Sequence, residues 1–470
     1  MTCKLTLPAR IFSVVILLLL STTIVTAQNP VPLISQPLVP SAFAPSVPGI
    51  TFELTVNGTG FVSDSVVNWN GRPLTTAYVN GSKLYAYILS SDTEQATTAW
   101  ITVVNPTPGG GTSNVVFLPI NNPTSTVSFE PRVNYTVGAN PQYIATADFR
   151  HNGKLDLVAA NDGSGTVSVL LGNGDGTFRS HADYPAGSST QVPIVGVFSS
   201  DGILDLATSN WGPGLAVLMG RGDGTFLPMV GYSEAGGYHG ITADFNGDGK
   251  LDLAIADSGV SVLLGNGDGT FRPGVEYEAG GFSTTVATGD FNRDGILDLV
   301  TSNFSTGNVS VLLGNGDGTF RPHVDYPAGL NPTGVVVADF NGDGKLDLAV
   351  GIPGSDGGAV AILLGNGDGT FRAPVDYPVP EGAVRVDVGD VNQDGKLDLV
   401  VANSHEAGVN ILLGNGDGTF QPQLFFPCGN RPWNALPADF NGDGHLDIAT
   451  GNFDDGTISV LLQTPTEKKH

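Results

Sequence analysis

The stretch ADFNGDGKLDLAV, residues 338–350, places side-chain oxygens at alternate positions of a short loop. Counting from Asp339, they fall at positions one, three, five and nine, as Asp339, Asn341, Asp343 and Asp347, and the Lys345 backbone carbonyl stands at position seven. Ca²⁺ gathers roughly six to eight oxygens at about 2.3–2.6 Å, so a loop around it turns alternate residues inward and needs a sharp bend, here Gly344 at position six. An EF-hand adds a bidentate Glu at position twelve and flanking helices. Position twelve is Val350, and the flanks alternate apolar residues as strands do. The loop therefore reads as a calcium clasp between two strands. A simple turn rich in Asx residues has no use for the Asp at position nine, nor for three carboxylates whose mutual repulsion favours a cation.

The loop recurs along the chain. Asp148, Asp244, Asp290, Asp339, Asp390 and Asp439 open six copies, and Val197 replaces the first acid in a seventh. Their spacing of about 50 residues suits a four-stranded propeller blade. Five copies carry the whole set: Asp244, Asn246, Asp248 and Asp252; Asp290, Asn292, Asp294 and Asp298; Asp339, Asn341, Asp343 and Asp347; Asp390, Asn392, Asp394 and Asp398; and Asp439, Asn441, Asp443 and Asp447. The carbonyls of Lys250, Ile296, Lys345, Lys396 and His445 complete them at position seven. The first copy has Arg150 at position three and Asn152 at position five, and the second keeps only Asp201 and Asp205, so weak binding or none is expected there. The expectation is about five structural Ca²⁺ ions.

The elements that must carry these loops repeat with them. Each copy reads as an apolar strand (GVVVADF), the acidic loop, a strand (LDLAV), a variable connection, a strand (VAILLG), the turn NGDGTF and a strand (RAPVDYP). The last copy stops at ISVLLQ, residues 458–463, without its fourth strand. The segment VSFEPRVNYTVG, residues 127–138, aligns with GTFRPHVDYPAG at 318–329 and can supply it, closing a ring without a long free edge. Residues 28–120 read differently, as short alternating strands of a small β-sandwich, and 121–127 as a linker. The fold expected is all-β: a seven-bladed β-propeller over 128–463 preceded by a small Ig-like β-sandwich, with a tail at 464–470.

Lys4 and Arg10, the apolar run Ile11–Leu20 and the small residues of Val25-Thr26-Ala27 form a secretory signal peptide over 1–27. No other apolar run approaches the length of a membrane span. A secreted or cell-surface monomer is expected. Beyond the signal, Cys428 is the only cysteine, so an exported chain must be held by core area or by metal rather than by a disulfide. The net charge of −25 is largely the inventory of the repeated loops. With no basic patch to neutralise phosphates, nucleic acid is not an expected partner.

The copies of ADFNGDGKLDLAV resemble the FG-GAP/VCBS repeat, the blade unit of integrin-alpha-type β-propellers, over residues 125–463. The resemblance implies calcium in the hairpin joining the first two strands of a blade, at the positions named above. Residues 30–120 resemble an IPT/TIG immunoglobulin-like domain, through LTVNGTGF and VVNPTPGGGTSN.

Two other signals dissolve in the repeat. GNGDGTF has the look of a phosphate loop but lacks the Lys-Ser/Thr and the helix, and the RGD at 221–223 is the same turn with Arg221 in place of Asn. In a blade the acidic loops and the NGDGTF turns share one end, so the irregular connections at the other end are where binding is expected. They carry Tyr143, Trp211, Tyr238, His239, Phe282, His405, Arg431 and Trp433, a set suited to stacking on sugar rings or on an exposed peptide. The sequence contains no HExxH, no GxSxG and no paired-cysteine metal site, and no catalytic residue is assigned. The reading is an extracellular binding or adhesion module for an unidentified glycan or protein, with a polysaccharide-degrading lyase or hydrolase as the alternative.

Overall fold

The computed structural model describes residues 29–34, 38, 52–93, 97–120, 127–211, 214–233, 235–354 and 357–464. The signal peptide, the linker up to 126 and the tail from 465 lie outside the described residues.

Among the described residues the repeats fold into seven four-stranded antiparallel sheets, an all-β arrangement consistent with a β-propeller. In one of them Gly334–Ala338, Asp347–Ile352, Gly358–Leu363 and Val375–Val379 pair in chain order. The second strand has every residue buried, which is why it reads as an apolar run, whereas the fourth strand is mostly exposed. First strands of neighbouring sheets touch all the way round, and the last, Pro432–Ala438, touches the first, Pro141–Ala147. The ring is closed by chain ends. Val133–Thr136 pairs antiparallel with Thr457–Leu461, and the Ser459 hydroxyl donates to Asn134 Oδ1 at 2.8 Å.

Aromatic rings join sheet to sheet. The Phe that follows the first loop position packs edge-to-face on the Phe of the NGDGTF turn in the next repeat, with centroids 5.3 Å apart for Phe149 and Phe226, 5.4 Å for Phe198 and Phe271, and 5.6 Å for Phe340 and Phe420. The same contact seals the ring, between Phe440 of the last repeat and Phe178 of the first at 5.6 Å. Such pairs add about 0.5–1.5 kcal/mol each beyond the area they bury. One repeat departs from the pattern, having Val391 at that position.

Residues before the ring form two antiparallel sheets over one shared core, in which Leu54, Val56, Leu84, Ile88, Ile101 and Val103 are fully enclosed and Trp69 is buried. This unit sits against the acidic-loop end of the ring. The Val31 N–H donates to Asp244 Oδ2 at 2.9 Å. A Cβ at Gly249 would come within 2.7 Å of the Asn29 carbonyl oxygen, and one at Gly153 within 3.2 Å of the Trp100 indole. Sequence reasoning had no signal for this docking, because it depends on which loops the ring brings beneath the unit.

Closure by Val133–Thr136 makes a direct forecast. A chain beginning at Gly138 leaves Thr457–Leu461 as an open apolar edge, and it should melt well below a chain beginning at Val127 and scatter light on heating. Equal melting of the two chains would show that the terminal strand is dispensable.

Candidate functional site

Each acidic loop winds around its own side-chain oxygens. In the Asp339 copy, Asp339 Oδ2 accepts the Gly344 N–H at 2.7 Å, Asn341 Oδ1 accepts that of Asp343 at 2.9 Å, and Asp343 Oδ1 accepts that of Lys345 at 3.0 Å. The pattern repeats in the copies opened by Asp244, Asp290, Asp390 and Asp439. The position-six glycines make it possible, with Gly344 at φ 78° and Gly444 at φ 89°, in the left-handed region where a Cβ is strained.

Position nine has a job of its own, and this corrects the premise that a turn has no use for it. Asp347 Oδ2 accepts the Phe340 N–H at 3.0 Å, and its Oδ1 accepts that of Gly365 at 2.7 Å, tying the acidic loop to the NGDGTF turn. The bond to the turn holds in every repeat through Gly172, Gly220, Gly265, Gly314, Gly365, Gly414 or Gln463, and the bond to the acidic loop holds in all but the first, where Arg150 takes the second oxygen of Asp156. It persists at Asp205, where the first acid is missing. An Asp at position nine thus follows from backbone satisfaction even where no ligand set exists.

Electrostatics separates the complete loops from the first copy. Burial first, and then the neighbouring carboxylates, push Asp252, Asp298 and Asp347 up to about 7 and Asp447 up to about 8. In the first copy the Arg150 guanidinium fills the loop, with Nη2 2.6 Å from Asp156 Oδ1 and Nε 3.3 Å from Oδ2. A cation is thus built into one of the two loops that lack the ligand set. The five complete loops offer oxygen donors only, with crowded, buried carboxylates, and their chemistry fits a hard divalent cation. Among the described residues no three acidic, His or Cys side chains converge into a metal cage, and the loop oxygens accept backbone N–H groups.

At the opposite end the sequence-derived candidates divide into groups. Trp211, 61% exposed, lies 5.2 Å from the Tyr238 ring, and Tyr238 lies 4.9 Å from Phe282 in a T-shaped contact. The Arg431 guanidinium carbon sits 5.7 Å from the Trp433 ring and 4.7 Å from Phe453. His405 pairs with Glu381 at 3.5 Å. Tyr143 and His239 do not join the exposed rings. They line a central cavity of about 370 Å³ between the first strands, beside Arg385 and Asp387. Burial first, and then the Arg385 charge, keep the His239 imidazole neutral, well below its usual range. Enclosure pushes Asp387 up to about 6. Sequence reasoning passed over Arg385, although an arginine inside the apolar strand AVRVDVG was a readable signal.

The FG-GAP-like repeat family matches over 198–255, 244–301, 290–350, 341–401 and 390–450, together more than half of the chain. The chain belongs to the FG-GAP-like repeat family. The matched spans leave out the Arg150 copy, which carries the foreign guanidinium. A search of curated proteins found no match. Among solved structures, an auxiliary nutrient binding protein from Bacteroides ovatus is 12% identical, covering 92% of this chain and 98% of that chain with a TM-score of 0.40. A putative phosphatase from Bacteroides thetaiotaomicron is 12% identical, covering 93% and 98% with a TM-score of 0.40. Likenesses this remote say nothing of activity.

The FG-GAP loops carry two measurable consequences. Carboxylates such as Asp205, Asp252, Asp298, Asp347 and Asp447, raised in the fold to about 6–8 from an ordinary 3.8, cost stability once ionised. Their contribution is whole below about pH 4 and is lost as pH rises to about 8, so the melting temperature in chelator should fall across that window. A flat or rising profile would contradict it. Asp347→Ala leaves two buried N–H groups without an acceptor and should cost about 2–4 kcal/mol in chelator, measured by denaturant unfolding.

Proposed function

We propose that the protein is a secreted or cell-surface binding module for an extracellular glycan or protein. It would be built as a seven-bladed FG-GAP propeller behind an Ig-like, IPT/TIG-type domain and act as a monomer. In this reading Ca²⁺ is structural. Each complete loop would hold an ion through its Asp at position one, Asn at three and Asp at five, with the position-seven carbonyl and the position-nine carboxylate close by. The ion would neutralise the crowded carboxylates and cross-link the hairpin. Support comes from the oxygen-only donor sets and from the Arg150 loop, where a guanidinium takes up the same electrostatic task.

The observation that carries the binding role is the row formed by the exposed Trp211 and the half-buried Tyr238 and Phe282. An exposed indole backed by two half-buried rings in contact is suited to a ligand that stacks on it. Phe304 and Leu330, 40% and 77% exposed, extend the apolar surface, and the Phe304 N–H bonds the Phe282 carbonyl oxygen at 2.8 Å. The regular end is less available to a partner, since the N-terminal unit already covers part of it.

Two measurements test this. Titrating Ca²⁺ into chelated protein should raise the melting temperature, and Asp343→Asn should remove part of the rise while leaving the chelated protein unchanged; no response to Ca²⁺ would refute the structural ion. On glycan and matrix-protein arrays, Trp211→Ala should weaken binding about tenfold or more, or ≥1.4 kcal/mol, while Asp223→Ala in the RGD-like turn should not. The reverse ranking would move the site to the other end.

A further inference from the structure

The first strands present one residue each to the ring's centre at the same level, five positions before the loop's first residue, and in Ala383–Gly389 that residue is Arg385. Its side chain spans the cavity. Nη1 donates to Thr285 Oγ1, two repeats away, and lies 3.5 Å from the Thr333 carbonyl oxygen. Its guanidinium carbon lies 4.7 Å from the centre of the Tyr143 ring, on the far side of the closure. Gly334 leaves the room, since a Cβ there would stand 3.1 Å from Arg385 Cδ.

What the guanidinium lacks is a carboxylate in contact, since Asp387 acts on it only from a distance. Arg385 is only 8% exposed, and among the described residues no carboxylate lies within 4.0 Å of it and neither Nε nor Nη2 has an acceptor. A buried guanidinium without a paired charge is costly. A mere plug would be apolar, as Val192 is at the same level. Asp387 follows two residues on, along the same face of the strand. It accepts one bond, from the Val388 N–H to Oδ1 at 2.8 Å, and its Oδ2 accepts none. His239 engages the Val286 backbone through Nδ1, leaving Nε2 for the cavity. The cavity of about 370 Å³ is within the roughly 300–1,000 Å³ of small-molecule sites.

We infer that the central cavity binds a small hydroxylated carboxylate of the sugar-acid class, its carboxylate on the Nε and Nη2 edge of Arg385 and its hydroxyls donating to Asp387. A carboxylate matches the planar fork of a guanidinium in a way that a neutral sugar cannot. Asp387 accepts hydroxyl protons and repels a second anionic group, which selects molecules that are acidic at one end only. The site is separate from the row of Trp211, Tyr238 and Phe282 and does not depend on it.

The test uses the whole secreted chain with Ca²⁺ present. Calorimetric titration with glucuronate, galacturonate and gluconate should show binding by at least one. Glucose should bind at least about tenfold more weakly than that acid, and inorganic phosphate should not compete with it. Arg385→Met should abolish the binding while leaving the ligand-free melting temperature equal or higher, and Arg385→Lys, which keeps the charge but not the fork, should weaken binding about tenfold. Trp211→Ala should leave sugar-acid binding unchanged. Absence of binding by all three acids overturns the inference, as does preference for phosphate or full binding by Arg385→Met. If Arg385→Met fails to fold, the Arg385→Lys titration decides, and undiminished affinity there overturns it.

Discussion

The carboxylate at position nine of every repeat is the constraint on which the rest depends. In six repeats it accepts one N–H from the acidic loop, the first giving that oxygen to Arg150, and in all it accepts one from the turn after the third strand or, in the last repeat, from Gln463 just past that strand. Sheet pairing cannot satisfy these groups, because they lie where strands end and the ladder stops. With them fixed, the Phe beside the first loop residue is aimed at the next repeat, and the edge-to-face contacts that seal sheet to sheet follow. One buried side chain therefore couples the local hairpin to the closed ring.

The same economy creates an electrostatic debt at the loops. Gathering carboxylates to cap backbone donors crowds negative charge at one end of the ring, and burial raises the cost of keeping it ionised. The first repeat answers with Arg150, inside the chain. Three of the complete loops have Lys beside Asp, at the outer position seven, such as Lys345 3.1 Å from Asp343. Their chemistry thus leaves room for an external cation, and the same end is where the N-terminal sheets rest. Asp244 takes part in both, as a loop carboxylate and as the acceptor of the Val31 N–H.

The division of labour between the two ends follows from that use. At the repetitive end, loop geometry is dictated by backbone satisfaction and varies little. At the other end, connections answer to no such demand, and they carry Trp211, Tyr238 and Phe282 on one side and Arg431 with Trp433 on another. Between the ends the first strands enclose a cavity whose lining is apolar except at a few positions, and there a single arginine dominates the chemistry.

Much of this was legible in the residues alone, for physical reasons. A period-two alternation and Asp-Gly turns specify hairpins, and repetition in register specifies stacked copies, so the strand order and the acidic loops could be read from ADFNGDGKLDLAV and its neighbours. Even the closing strand was visible, because VSFEPRVNYTVG keeps the pattern of the strand that the last repeat lacks. The sequence could not say that position nine serves the backbone before any ion, since both roles ask for the same Asp. Nor could it say that Tyr143 and His239 turn inward to Arg385 while Trp211 and Tyr238 stay outside. Those outcomes depend on closure of the ring, which sets residues from different repeats at one level of the cavity, and on the resting place of the N-terminal sheets. Local propensity writes each repeat, and only the tertiary structure decides which of their side chains meet.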